Sequence, residues 1–145
     1  MKKQTKHTTI VKSLVVNEKG EILFVRRKWE ERPDVHDKWE FPGGKLEFGE
    51  QPEHTAKRET MEESGYKVKV KALLPKLVTF SKEFPEENRQ LILVCYICEL
   101  ISGEKSLKDH GVSEIKWFKL DQAPKEFECL PGTIDYLNVY RSLQK

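Results

Sequence analysis

The sequence predicts an α/β sandwich with a mixed β-sheet between helices, and three observations carry that expectation. Runs rich in β-branched and aliphatic residues recur along the chain, helical patterning is confined to Pro52–Ser64 and Thr133–Leu143, and the first two strand-like runs are only a short turn apart. A purely parallel, doubly wound sheet needs helix-sized crossovers between successive strands, and the start of this chain has no room for one. The length, 145 residues, is that of one ordinary domain, so residues 1–145 are expected to fold as a single unit. A chain of this size hides roughly 70% of the surface it exposes when unfolded, enough for a core without disulfides or structural zinc.

Taken in order, residues 8–17 (TTIVKSLVVN) and 21–27 (EILFVRR) read as an antiparallel pair across the turn Glu18-Lys19-Gly20. Lys28–Lys38 carries Trp29, a proline and seven charged residues, which predicts an exposed loop of the kind that often serves function. A short strand at Trp39–Phe41 precedes Pro42-Gly43-Gly44, a break that exposes backbone carbonyls and amides. Pro52–Ser64 has good helix formers, proline where the first helical turn tolerates it, and Gly65 where a left-handed cap belongs. Residues 66–80 return to strand patterning, Ser81–Asn88 reads as a polar loop, and Leu91–Leu100, apolar on both faces, as a central covered strand. A turn-rich stretch begins at Ser102-Gly103, Ile115–Phe118 is a further short strand, and Thr133–Leu143 is helical behind Pro131-Gly132.

Composition narrows the function classes. Lys+Arg number 26 against 24 Asp+Glu, a net charge of +2, without the strongly basic balance of a dedicated nucleic-acid binder. The longest apolar run, Leu91–Cys98, is too short to cross a bilayer, and the basic start is followed by no uninterrupted apolar segment. We therefore expect no membrane partner, no stable nucleic-acid partner and a cytoplasmic location. Cys95, Cys98 and Cys129 make an odd count that fits free thiols. Cys95 and Cys98 spell C-x-x-C, but inside a strand residues three apart face opposite sides, so two buried small hydrophobes are expected rather than a metal or redox pair.

The helix at Pro52–Ser64 is the oddest element. Its apolar residues, Ala56 and Met61, form no broad stripe, so packing alone does not account for it. Glu59, Glu62 and Glu63 stand at i, i+3 and i+4, which puts three mutually repelling carboxylates on one face. Between Glu50 and Glu63, five glutamates against Lys57 and Arg58 leave a net charge of −3. A solvated acidic face is the ordinary explanation of such a run. Here, however, a glycine turn with free carbonyls lies just upstream and Glu50 stands near the helix start, a set of hard oxygen ligands suited to Mg²⁺ or Mn²⁺ with a polyphosphate as partner.

Gly44, Glu50 and the run Arg58-Glu59-Thr60-Met61-Glu62-Glu63-Ser64-Gly65-Tyr66 resemble the Nudix box, G-x5-E-x7-R-E-U-x-E-E-x-G-U with U aliphatic, over residues 44–66. Every charged and glycine position matches, and Thr60 and Tyr66 depart from the aliphatic preference. The segment Trp39–Lys45 resembles the approach to the box in MutT-like nucleoside triphosphate pyrophosphohydrolases. Arg26-Arg27 ends the preceding strand as in that subgroup, and Phe84-Pro85 is similar to its second substrate loop.

The resemblance implies a Nudix-type α/β/α sandwich and Mg²⁺-dependent hydrolysis of a pyrophosphate bond in a nucleoside diphosphate derivative. The expected substrate is a nucleoside triphosphate, oxidised guanine forms included, giving the monophosphate and pyrophosphate. Position by position, it implies that Gly43 (through its carbonyl), Glu59, Glu62 and Glu63 hold the metal, Mn²⁺ substituting for Mg²⁺. Arg58 orients the carboxylates by pairing with Glu50, and Glu59 is a candidate general base; Asp109, His110 and Glu114 are alternatives for a later ligand or base. Arg26, Arg27 and Phe84 are candidate substrate contacts, although adjacent arginines on a strand point to opposite faces, so at most one is expected to reach phosphate. ADP-ribose hydrolases of the family usually carry a marker proline in the strand after the box, where this chain has Phe80-Ser81. An ADP-ribose or nucleoside-diphosphate-sugar hydrolase, and a nucleotide-binding module without turnover, are the alternatives. The complete set of box glutamates weighs against the module.

Overall fold

The structure, a computed structural model, describes residues 3–145; Met1 and Lys2 of the basic start lie outside it. Its strands are β1 (Gln4–Val16), β2 (Ile22–Arg27), β3 (Trp39–Glu40), β4 (Gly43–Lys45), β5 (Tyr66–Leu73), β6 (Val78–Glu83), β7 (Glu87–Gly103) and β8 (Val112–Phe118). The helices are α1 (Pro52–Ser64) and α2 (Thr133–Leu143). One sheet runs in the order β3-β2-β1-β7-β5, with β4 also on β1, β6 on β7 and β8 on β2. The long β1–β7 pair is parallel and the other pairs are antiparallel, so the sheet is mixed.

Side-chain alternation splits the core in two. Leu14, Ile22, Phe24, Cys95 and Leu93 meet Tyr136, Leu137 and Tyr140 of α2, whereas Val11, Val15, Leu23, Val25 and Cys98 meet Ala56 of α1. The helices therefore cover opposite faces, as the sandwich expectation requires. Phe118 stands edge-on to both Phe24 and Trp39, at 5.2 Å between centroids in each case, which ties β8 to the α2 side. All three cysteines are buried and free, with Cys95 and Cys98 on opposite faces, and burial pushes the Cys98 thiol up to about 11.

Three expectations are corrected. β1 begins at Gln4 rather than residue 8, because its first half has β7 as a parallel partner from Gln4↔Glu87 onward. The segment expected as a polar loop, Ser81–Asn88, is a hairpin in which Ser81↔Gln90 and Glu83↔Asn88 pair and only residues 84–86 lie outside strands. Its polarity reflects an exposed extension of the sheet, not irregular backbone. The glycines after Pro42 do not form an open break: Gly43–Lys45 is a short strand on β1, with Lys12↔Gly43 and Val11↔Gly44 in register. Glycine is needed there for space, since a Cβ on Gly43 would come 2.2 Å from the Val11 carbonyl oxygen.

Candidate active site

The sheet opens where the site is built. β1 and β2 pair at Val16↔Ile22; farther down, β1 takes β4 as neighbour and β2 takes β3, so Glu40 comes opposite Val25 and Gly43 opposite Lys12. α1 crosses this opening. It ends at Gly65, whose φ of 84° is the left-handed cap expected from sequence and whose N–H donates to the Met61 carbonyl. Its buried side is unusually polar: Thr55, Thr60, Glu63 and Ser64 beside Ala56. Thr60 Oγ1 donates to the Ala56 carbonyl at 2.7 Å, so a threonine fits the aliphatic position by satisfying its hydroxyl within the helix. Tyr66 likewise fits by accepting a bond from Trp117 Nε1 at 3.1 Å.

Arg58 gathers the exposed carboxylates. Its guanidinium donates to both oxygens of Glu50, at 2.8 and 3.0 Å, to Glu59 at 2.8 Å and to Glu62 at 3.3 Å. Arg58 and Thr55 hold the Glu50 carboxyl down to about 2, so Glu50 stays ionised as an anchor. The Glu59 carboxylate lies against the β4 backbone: a Cβ on Gly44 would sit 2.4 Å from its carboxyl carbon. Gly44→Ala must therefore push Glu59 aside, and we expect it to lower kcat by roughly 10²-fold, the cost of misplacing a reacting group by an ångström. Unchanged single-turnover kinetics in this variant would deny Glu59 a role at this position.

Glu63 sits apart from the Arg58 cluster and is only 4% exposed. Its Oε1 accepts the Gly43 N–H at 2.8 Å, and its Oε2 accepts from Arg27 Nη2. Burial pushes its carboxyl up to about 7 although Arg27 pulls the other way. Arg27 in turn donates to Glu40, which also accepts from Lys12. Glu40 is buried, yet Lys12 and Arg27 outweigh that burial and keep its carboxyl below the ordinary range. Lys12 and Glu40 escaped the sequence reading. The available signal was a lysine inside the apolar run IVKSLVV and a glutamate between Trp39 and Phe41.

The remaining candidates are placed differently. Arg26 points to the other face, its guanidinium 5.5 Å from the Trp39 ring centroid and bonded to Glu114 at 3.3 Å, so Glu114 is held as its partner. Phe84 lies at the hairpin tip under Arg89, about 23 Å along the strands from the level of Gly44 by register, and is not brought to the carboxylates. Asp109 Oδ1 accepts the Gly111 N–H at 2.7 Å, fixing a turn that passes beside Arg27. His110 and Asp109 line a cavity of about 360 Å³ together with Lys28 and His36. The Lys28–Lys38 loop is latched across to β6 by Asp34, which binds Arg32 at 2.9 Å and Lys82 at 3.3 Å.

Among the described residues no three acidic, histidine or cysteine side chains already converge on one point as a closed metal centre. Arg58 and Arg27 instead stand between the carboxylates. The donor set nonetheless fits a hard divalent cation: carboxylate oxygens of Glu59, Glu62 and Glu63 and the Gly43 carbonyl, all oxygen, on a helix face whose backbone neighbour has no Cβ to fill the space.

A mixed sheet between two helices, with an arginine-bound carboxylate face against a glycine strand, defines an α/β sandwich whose oxygen donors are gathered along one helix. The family model for the NUDIX domain matches residues 6–141, and the chain belongs to the Nudix family as a MutT-like Nudix hydrolase. It is 38% identical over 117 residues to the 8-oxo-dGTP diphosphatase of Escherichia coli, covering 79% of this chain and 82% of that one. It is 35% identical over 150 residues to the ADP-ribose pyrophosphatase of Bacillus subtilis, covering 96% and 77%. The MutT NUDIX hydrolase structure from Burkholderia pseudomallei superposes with a TM-score of 0.76 at 25% identity, over 92% of this chain and 97% of that one. The chain spans only 60% of the length of a matching mouse diphosphoinositol polyphosphate phosphohydrolase and 64% of a matching UDP-X diphosphatase structure. No helix among the described residues is long and apolar enough to cross a membrane.

Proposed function

We propose that this Nudix pyrophosphatase is a divalent-metal-dependent nucleoside triphosphate pyrophosphohydrolase, with oxidised guanine nucleotides among its substrates. The observation that carries the reading is the Arg58-gathered carboxylate face lying on the Gly43-Gly44 strand. Glu59, Glu62, Glu63 and the Gly43 carbonyl would hold Mg²⁺, or Mn²⁺ in its place. When bound, the ion neutralises phosphate oxygens and lowers the pKa of its water. Arg58, anchored by Glu50, sets the orientation of Glu59 and Glu62; Glu59, partly buried and with its carboxyl raised by that burial, is the candidate proton acceptor from the attacking water. Asp109 and His110 are the alternative acceptors, on the turn beside Arg27. Arg27, on the carboxylate side, would meet phosphate through the part of its guanidinium not bonded to Glu40 and Glu63; Arg26, on the other face beside Trp39, would serve the nucleoside side, and Phe84 would act only on a long substrate. The fold is proposed to function as one domain, and three free buried thiols support a reducing, cytoplasmic setting.

The 38% identity to the 8-oxo-dGTP diphosphatase and Phe80-Ser81 in the marker-proline region favour triphosphates, whereas the match to the Bacillus ADP-ribose pyrophosphatase supports the second reading, ADP-ribose or a nucleoside-diphosphate sugar. A phosphate-release screen over canonical and oxidised dNTPs, ADP-ribose and UDP-sugars, with and without added pyrophosphatase, separates them. Triphosphates are expected to show the higher kcat/KM, with pyrophosphate as second product; a preference for ADP-ribose transfers the assignment to the second reading. Excess EDTA is expected to abolish turnover, and full activity in a chelator with no metal retained would end the metal-dependent reading.

Activity is also expected to rise as pH climbs through about 7, where Glu63 loses its proton and becomes a ligand. Because proton and metal compete for that carboxylate, raising Mg²⁺ should move this limb to lower pH. A limb that stays fixed from limiting to saturating Mg²⁺ would assign it to another group.

A further inference from the structure

β1 carries one charged side chain in its apolar half, Lys12, and β3 carries Glu40 between two buried aromatics; their side chains are 12% and 7% exposed. Burying two charges is costly unless partners compensate, so a pair of this kind needs a reason beyond filling space. The pair lies at the point where β1 and β2 part, and it is not isolated. Lys12 donates to Glu40 Oε1 and, at 3.4 Å, to the Phe41 carbonyl. Glu40 Oε2 takes Arg27 Nε, Arg27 Nη2 takes Glu63 Oε2, and Glu63 Oε1 takes the Gly43 N–H. Gly43 is the ladder partner of Lys12, so the chain of contacts closes on itself. Each of the four carboxylate oxygens has one donor, and charge alternates along the sequence Lys12, Glu40, Arg27, Glu63.

We propose that Lys12 and Glu40 are positioning residues for the metal-binding carboxylate: they fix Arg27, and through Arg27 the orientation of Glu63 against the Gly43 strand. Lys12 supplies a second counter-charge to Glu40. With only Arg27 to neutralise it, Glu40 would draw the guanidinium toward itself and away from Glu63; with Lys12 on its other oxygen, Glu40 leaves Arg27 placed between the two carboxylates. This inference rests on the reading of Glu63 as a metal ligand.

The sign of one substitution separates positioning from plain electrostatics. Lys12→Met keeps the aliphatic stem and removes a positive charge near the site. If Lys12 acts only through its charge, the variant binds a cation more tightly; if it positions Glu63, the variant binds more weakly. We expect Mn²⁺ affinity, measured by EPR titration of free Mn²⁺ without substrate, to fall roughly 10- to 100-fold, the range for lost outer partners of metal ligands. Lys12→Arg, which keeps charge and donors, should restore most of it. Affinity in Lys12→Met equal to or tighter than wild type overturns the inference. The double variant Lys12→Met/Glu40→Gln removes both charges and guards against misfolding of the single variant. It should also bind Mn²⁺ weakly, and wild-type affinity in it would assign the pair to folding alone and overturn the proposal. Wild type and Glu63→Gln are titrated alongside: if both bind Mn²⁺ equally, the ligand reading of Glu63 itself fails, a result distinct from failure of the Lys12 arm alone.

Discussion

Glu59→Gln and Glu63→Gln are each expected to lower kcat by roughly 10²-fold or more at saturating Mg²⁺, the range seen when a proton acceptor or a metal ligand is removed. The two should fail in different ways. Glu59 lies against Gly44 and shares Arg58 with Glu50 and Glu62, so its amide leaves the Arg58–Glu50 anchor intact and substrate affinity little changed. Glu63 is buried between Arg27 and the Gly43 N–H, so its amide should raise the metal concentration needed for half-maximal rate as well as lower the maximum. Glu53 is the control, an exposed glutamate in the first turn of the same helix, and Glu53→Gln should stay within a few-fold of wild type. Steady-state kinetics over a Mg²⁺ series for the three variants is the measurement. Equal losses in all three would trace the effect to helix destabilisation rather than to the carboxylates' chemistry.

The residues to which these expected effects are assigned stand out in the sequence for a physical reason: a helix with an acidic face and almost no apolar stripe conflicts with ordinary packing. Helix bounds at Pro52, Ser64 and the Gly65 cap followed from local chemistry alone, as did Thr133–Leu143 of α2. What local chemistry does not carry is strand partnership. Residues 4–7 of β1 lack the apolar patterning of a strand because their pairing comes from β7, more than 80 residues away in Gln4↔Glu87, and the same extension makes a β6–β7 hairpin of the stretch expected as a loop. Glycines at 43 and 44 read as a turn because their need for space arises from Val11 and Glu59, which only the fold brings there. Lys12 and Glu40 were unreadable for the same reason. A single buried charge in sequence carries no address for its partner.

The largest stability effect should come from Glu63, with opposite signs in the absence and presence of metal. Its folded-state value of about 7 lies above the ordinary carboxylate range, because burial outweighs the pull of Arg27. The metal-free folded state therefore binds this proton more tightly than the unfolded state does. From this group, stability falls as pH rises from about 4.3 to about 7 and stays at the lower level above that. Glu50, held down to about 2, acts in the opposite sense: its contribution is present above the ordinary range and lost as pH falls toward 2. At pH 8 without metal, Glu63→Gln should thus be at least as stable as wild type, by on the order of 1 kcal/mol. The gain stays well under the full shift because Arg27 loses one of its two carboxylates. At pH 4 the difference should vanish. Metal reverses the order, since an ion that binds only the folded state adds about 1.4 kcal/mol at ten times its Kd. For a chain of this length that is a Tm rise of roughly 3 to 6 °C. Wild type should show this rise in millimolar Mg²⁺ beyond that produced by NaCl of equal ionic strength, and Glu63→Gln should show much less of it. Scanning fluorimetry at pH 4 and pH 8, with Mg²⁺ and with NaCl, reads all of these arms. Equal shifts of both proteins in the two salts would leave Glu63 a buried structural acid and end the metal-site reading of Glu59, Glu62 and Glu63.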